Sequence, residues 1–197
     1  HWLCSSGCLV VVMRYSMQER KMAEANPAEI NWREGIYQQF KELDIRQVHY
    51  VPDAGHAHVI DRCLADPEIE AGMLANEFEG IGVCCGAWLG GQRSALLMQS
   101  SGIGNTINAL GLVTSGRFPF FTVITMRGEW GEFNPWQLHG GQSAEKILEA
   151  AGVVTMRASH ASEVADMVGA GARLAFASYC PVAVLIGQRV IGAKVFK

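Results

Sequence analysis

Glu77 is a carboxylate set between an apolar stretch at 72–75 and a run of small and apolar residues from Phe78 to Trp88. A helix built from that run has no obvious solvent face, which predicts that it is buried or lies in an interface. A carboxylate at its first turn gains from the helix dipole and loses hydration, and burial raises a carboxyl pKa. Glu77 is therefore the first candidate for chemistry. The plain alternative is that Asn76 is an N-cap and Glu77 an ordinary first-turn acid. Glu79 competes for any role, but two residues further on it points to another side of the helix.

Two further stretches carry reactive or anion-binding side chains. Gln99-Ser100-Ser101-Gly102-Ile103-Gly104-Asn105 places two hydroxyls and two glycines where a strand should give way to a helix. Backbone N–H groups there can approach an anion, or the segment is simply a tight turn. It lacks the third glycine of a dinucleotide fingerprint and the Gly-Lys-Ser/Thr of a P-loop. Residues 127–142 show no periodicity and predict a long ordered loop, which in compact domains is usually functional. Within it Arg127 suits an acidic substrate group and His139 suits proton donation near neutral pH. The alternative is a surface loop whose Trp130 and Trp136 pack on the core. His56 and His58 read as helix-start histidines rather than metal ligands. Cys84 and Cys85 raise a thiol enzyme using His139, yet mid-helix cysteines without a neighbouring cation are buried and inert.

The elements that must position these residues alternate. Residues 28–43 predict a helix with Pro27 at its start and Ile30, Ile36, Phe40 and Leu43 on one face. Strands follow at 48–51, 73–75, 94–98, 121–126, 153–156 and 182–186. Helices are expected at 58–64, 78–89, 106–115, 143–151 and 162–178. Six strands separated by helices predict a three-layer α/β/α domain with a mainly parallel sheet. In such sheets ligands sit outside the carboxyl ends of the strands, where Asp53, Glu77, Gln99 and Arg127 all fall.

Composition narrows the setting. The chain has 197 residues, enough for one domain, and 49% are hydrophobic, enough for a core. Sixteen basic against nineteen acidic residues give a net charge of −3 without a basic run, which argues against nucleic acid. Six cysteines without a C-x-x-C pair suit a reducing, cytoplasmic setting and no structural metal. The apolar run at 9–13 is too short to span a bilayer and has no basic residue before it, so neither a membrane anchor nor a signal peptide is expected. Residues 1–21 read as an extension foreign to a native start at Met22, with 22–197 forming the domain.

Taken in order, Val51-Pro52-Asp53, Asn76-Glu77 with the Gly/Ala-rich run ending Gly86-Ala87-Trp88-Leu89-Gly90, Gln99 to Asn105 with Asn108-Ala109-Leu110, and Arg127-Gly128-Glu129 with Gly131-Glu132-Phe133-Asn134-Pro135 resemble the pyrimidine-binding domain of thiamine diphosphate enzymes. The similarity spans about residues 36–186. It is nearest to the alpha subunits of sulfopyruvate decarboxylases and the matching part of phosphonopyruvate decarboxylases. The resemblance implies that Glu77 hydrogen-bonds N1′ of the aminopyrimidine, so that the neighbouring 4′-nitrogen can take a proton from thiazolium C2. It implies that Gln99, Ser100, Ser101, Gly102 and Asn105 line the cofactor and that Asp53, Arg127 and His139 face the substrate. His139 departs from the Val-Pro-Met of typical relatives, and 55–58 replaces a more apolar stretch.

In these enzymes the diphosphate is held through Mg²⁺ by a second domain bearing Gly-Asp-Gly, a sequence this chain lacks. The resemblance thus implies a beta-type partner chain, an active site at the interface, and a homo- or hetero-oligomer. The expected activity is decarboxylation of a three-carbon 2-oxoacid with an anionic C3 group, sulfopyruvate first and phosphonopyruvate second. Arg127, Ser100, Ser101 or His139 would offer donors to that group. A non-catalytic cofactor-binding or regulatory domain of the same fold is the alternative.

Overall fold

A computed structural model describes residues 31–193. Six strands form one sheet in the order β2-β1-β3-β4-β6-β5, and every pairing is parallel. The strands are β1 (Ile45–Tyr50), β2 (Glu70–Met73), β3 (Arg93–Gln99), β4 (Phe120–Thr125), β5 (Val154–Ala158) and β6 (Pro181–Ile186). The helices are α1 (Trp32–Glu42), α2 (Ala57–Ala65), α3 (Glu77–Leu89), α4 (Ile107–Gly116), α5 (Trp136–Ala150), α6 (Val164–Ser178) and the short α7 (Gln188–Ile191). Among the described residues no helix is long and apolar enough to cross a membrane.

Parallel sheets need helices on both faces, so their central strands read as unbroken apolar runs. β4 (FFTVIT) and β6 (PVAVLI) are buried at every position. Alternate residues serve opposite layers. Phe120 and Ile124 join Ile81, Leu110 and Leu148 of α3, α4 and α5, while Phe121 and Val184 face Gly171 of α6 on the other side. The switch from β2 to β3 across β1, and the insertion of β6 between β4 and β5, open crevices at the carboxyl edge.

Four boundaries differ from the sequence expectation by three residues or more, one of them the start of β1, at Ile45 rather than 48. Asn31 lies outside the helix and α1 begins at Trp32, while the expected turn at 28–30 lies outside the described residues, as does the expected extension at 1–21. β2 occupies 70–73 rather than 73–75. It is an edge strand, so its exposed side tolerates Glu70, and its ladder closes where Leu74 N–H donates to the Tyr50 carbonyl at 2.9 Å. α5 starts at Trp136 rather than 143, so His139 sits on a helix and not in a loop. Its Gly140-Gly141 pair is intolerant of side chains because the helix lies directly on other backbone. A Cβ at Gly141 would overlap the Arg127 carbonyl, and one at Gly140 would come within 3.2 Å of Ser101 Cα.

Candidate active site

Glu77 opens α3 one residue after its cap. Asn76 is extended (φ −155°, ψ 150°) and its side chain accepts from Phe78 N–H at 2.9 Å, while Glu79 reaches back to accept from Ala75 N–H at 3.2 Å. The capping work is thus done by Asn76 and Glu79, which leaves Glu77 free to turn inward. It is 7% exposed, and its Oε2 accepts from Asn105 Nδ2 at 2.9 Å. Gly102 packs beneath the carboxylate, where any Cβ would overlap it. Asn76 is the N-cap, as the plain reading has it, and Glu77 is buried at the first turn of α3.

The segment after β3 is a 3-10 turn, Ser100–Asn105, and it ties the edge together. Ser100 is buried and its hydroxyl accepts from Arg127 N–H at 3.0 Å. Ser101 is exposed and donates to Gln99 Oε1 at 2.7 Å. Gln99 Nε2 in turn donates to Asp53 Oδ1 at 2.8 Å. Asp53 Oδ2 accepts from Thr125 Oγ1 at 2.8 Å and from Gly55 N–H at 2.9 Å, so this one carboxylate fastens the ends of β1, β3 and β4. Burial by itself would raise the Asp53 pKa, but the Thr125 bond, the nearby His56 and the bonds from Gln99 and Gly55 hold it below the ordinary value. His56 is fully buried at the start of α2, with Nε2 3.3 Å from the Met98 carbonyl and Nδ1 unpartnered. Burial lowers its pKa, and the Asp53 carboxylate opposes that shift. His58 pairs with Glu34 at 2.9 Å, as a helix-start residue.

Arg127 is committed to protein. Its Nε and Nη2 form a two-pronged bridge to the Glu132 carboxylate, each at 2.9 Å. Glu132 also accepts from the backbone N–H of Gly128 and Asn134 and from Gln188 Nε2 at 3.0 Å. Burial would raise its pKa, but Arg127 and these donors outweigh that and bring it down to about 2. Gln188 Oε1 accepts from Glu129 and Trp130 N–H, so the 127–132 loop and α7 are held as one unit. Arg127 is therefore half engaged as an anion receptor, with only part of its fork available. His139 is exposed on α5, away from the buried cluster. Trp136 is 87% exposed and Trp130 lies beneath Arg189, so neither packs on the core as the surface-loop alternative had it. Cys84 and Cys85 are buried in α3, and burial pushes the Cys84 thiol up to about 12, which suits inert residues.

The structure thus gathers Glu77, Gly102 and Asn105 in one place. Asp53, Gln99, Thr125 and the Arg127 backbone adjoin them through the same turn. Sequence reasoning missed Thr125, Glu132 and Gln188. Their position at or just beyond the carboxyl ends of β4 and β6 was the available signal. It also missed Arg33, for which α1 offered none.

One face of α3 and α4 is left uncovered among the described residues. Phe78, Leu89 (76% exposed), Ile107 and Leu112 lie on it. So do Gly82, Gly86 and Gly111, where an added Cβ would meet nothing within 4 Å. The expectation that α3 is buried is met on one side, where Ile81, Cys84 and Cys85 face the core.

An open parallel sheet with its polar clusters gathered at the strands' carboxyl ends is the arrangement of α/β cofactor-binding domains. Residues 51–194 match the family described as pyruvate flavodoxin/ferredoxin oxidoreductase, thiamine diphosphate-binding. The sulfopyruvate decarboxylase subunit alpha of Methanococcus maripaludis is 34% identical over 158 residues, 80% of this chain and 95% of that one. Its counterpart from Methanocaldococcus jannaschii is 31% identical over 151 residues, 76% of this chain and 89% of the relative. The phosphonopyruvate decarboxylase of Streptomyces viridochromogenes is 35% identical over 98 residues, 49% of this chain but 25% of that longer protein. Among solved structures, a 2-oxoglutarate:ferredoxin oxidoreductase from Magnetococcus marinus matches with a TM-score of 0.63 and 16% identity, over 79% of this chain and 28% of that one, which shows a shared fold. The chain belongs to the thiamine diphosphate-binding family that these sulfopyruvate decarboxylase alpha subunits represent.

Proposed function

We propose that this chain is the pyrimidine-binding, cofactor-activating subunit of a thiamine diphosphate-dependent 2-oxoacid decarboxylase, with sulfopyruvate the preferred substrate and phosphonopyruvate the second. The observation that carries the reading is Glu77: a carboxylate withdrawn from water, steadied on Oε2 by Asn105 and packed directly on Gly102. These residues fit the nitrogen edge of an aminopyrimidine. Oε1, the oxygen not engaged by Asn105, is the atom that would hold the hydrogen bond to N1′ and keep a proton there.

When bound, thiamine diphosphate supplies a carbon nucleophile and an electron sink for loss of CO₂. The chain's share is position and exclusion of water. Gln99, Ser101, Gly102 and Asn105 form the wall that would orient the ring, and Ser100 holds that wall to the Arg127 loop. Asp53 fixes the strand ends against one another, so its part toward substrate is mainly to set the shape of the crevice. His139 would approach a substrate only from the outer rim.

The diphosphate and Mg²⁺ would be held by a second domain, and the naming of the relatives as alpha subunits supports a partner chain as its carrier. Among the described residues no three His, Cys, Asp or Glu side chains converge as a metal site, and the sequence has no Gly-Asp-Gly. The uncovered α3/α4 face, apolar and glycine-lined, suits close packing against a beta-type partner in the cytoplasm. The test is to co-express the chain with a beta-type chain that carries Gly-Asp-Gly and to measure CO₂ release from several 2-oxoacids with thiamine diphosphate and Mg²⁺. Release from sulfopyruvate or phosphonopyruvate is expected. A co-purified assembly that releases none from any 2-oxoacid would favour the non-catalytic alternative.

A further inference from the structure

A pocket of about 150 Å³ opens on the same edge, between the ends of β1 and β4 and the loop after α7, walled by Arg33, Asp53, Gly55, Thr125, Arg127 and Ile191. That is several times the roughly 30 Å³ share of one liquid water, enough for a tetrahedral oxyanion. Its wall carries the Arg33 guanidinium, the Arg127 guanidinium already paired with Glu132, and one carboxylate, Asp53. Both oxygens of that carboxylate are already turned to Gln99, Gly55 and Thr125.

The donors that the sequence suggested for an anionic substrate group are occupied or remote. The Ser100 hydroxyl is on the Arg127 backbone, Ser101 is on Gln99, Arg127 has two of its nitrogens on Glu132, and His139 is on an exposed helix face. Arg33 differs from all of them. Its Nε donates to the Gly55 carbonyl at 3.2 Å and its guanidinium lies 4.1 Å from the centre of the Trp32 ring, which fix the plane of the fork. Its two terminal nitrogens make no hydrogen bond among the described residues. A planar fork held flat with its outer edge open is suited to a phosphonate or sulfonate.

The geometry points to this pocket as the seat of the tetrahedral anionic group at C3 of the substrate, with Arg33 as the residue that determines specificity for it. This rests on the decarboxylase reading and adds the recognition that reading lacks. Pocket and catalytic carboxylate are coupled in space by a single turn: Ser100 holds the Arg127 backbone, and Gly102, two residues on, packs under Glu77.

Two measurements on the co-expressed assembly test it. In the kinetic arm, Arg33→Gln should raise KM for sulfopyruvate or phosphonopyruvate, whichever is turned over, by roughly 10- to 100-fold with kcat nearly kept. Arg33→Lys should recover part of the loss, and KM for pyruvate, which lacks the anionic group, should stay within about twofold. In the binding arm, calorimetric titration with 3-sulfopropanoate, which keeps both acid groups without the keto group, should show binding to the unmutated assembly and loss of it in Arg33→Gln. Equal binding by both, binding by neither, or a KM rise shared by pyruvate would overturn the pocket assignment. Intact Arg33-dependent binding with no CO₂ released from any 2-oxoacid would uphold the pocket and overturn the decarboxylase reading alone.

Discussion

Glu77 and Arg127 are both ionisable residues placed just beyond strand ends, yet the structure gives them opposite employment. Glu77 is relieved of capping by Asn76 and Glu79 and has one oxygen uncommitted, whereas Arg127 spends its fork on Glu132. Because Gly102 leaves no space for a methyl group, Gly102→Ala should displace the Glu77 carboxylate and lower turnover by tenfold or more while the far-ultraviolet circular dichroism is unchanged. Glu132→Gln leaves a buried guanidinium without its counter-charge and should cost about 3–5 kcal/mol in urea unfolding. The same pair sets an acid limit. The Glu132 carboxyl lies at about 2 in the folded chain against the ordinary 4.5, so its stabilising share is complete above about pH 4.5 and is lost as pH falls toward 2. Unfolding midpoints measured across that range should fall for the unmutated chain and change less in Glu132→Gln. Glu77 was legible from sequence because one apolar strand and one apolar helix bracket it. The commitment of Arg127 was not, since a five-residue spacing inside an aperiodic loop carries no geometric signal, and Gln188, which also donates to Glu132, lies 56 residues beyond it.

At the scale of elements, periodicity was a good guide wherever an element was central and a poor one at edges and contacts. β4 and β6 read directly as apolar runs. β2, an edge strand with Glu70 on its open side, was drawn toward the more apolar residues after it. α5 was truncated because Gly140 and Gly141 read as a break, when they are small because the helix rests on the backbone of Arg127 and Ser101. Local propensity was overridden by a tertiary contact that only the folded chain reveals. The glycines of α3 make the opposite case: Gly82 and Gly86 have open space around them, so nothing among the described residues requires them. Gly86→Ala should therefore stabilise the isolated chain by about 0.5–1 kcal/mol, from helix propensity alone. If the face is the partner surface, the same substitution should weaken co-purification of the second chain. Stabilisation with undiminished association would place the partner elsewhere.

For the whole molecule, the carboxyl edge of the sheet sets three features side by side: Glu77 with Asn105, the proposed contact of the cofactor ring, the Asp53 lock that ties the ends of β1, β3 and β4, and the pocket walled by Arg33 and Arg127. The outward α3 and α4 residues Phe78, Leu89, Ile107 and Leu112 are the surface proposed for a second chain. Family membership follows from the match over residues 51–194, and the division into subunits is the part that the account proposes. Its central claim is that Glu77 activates the cofactor. The most direct measurement is the rate of CO₂ release by the co-expressed assembly carrying Glu77→Gln, with thiamine diphosphate and Mg²⁺ saturating and the assembly shown intact by gel filtration. The account predicts a fall in kcat of about 10²–10⁴-fold, the usual worth of a positioned proton-transfer group. A rate equal to that of the unmutated assembly would contradict it.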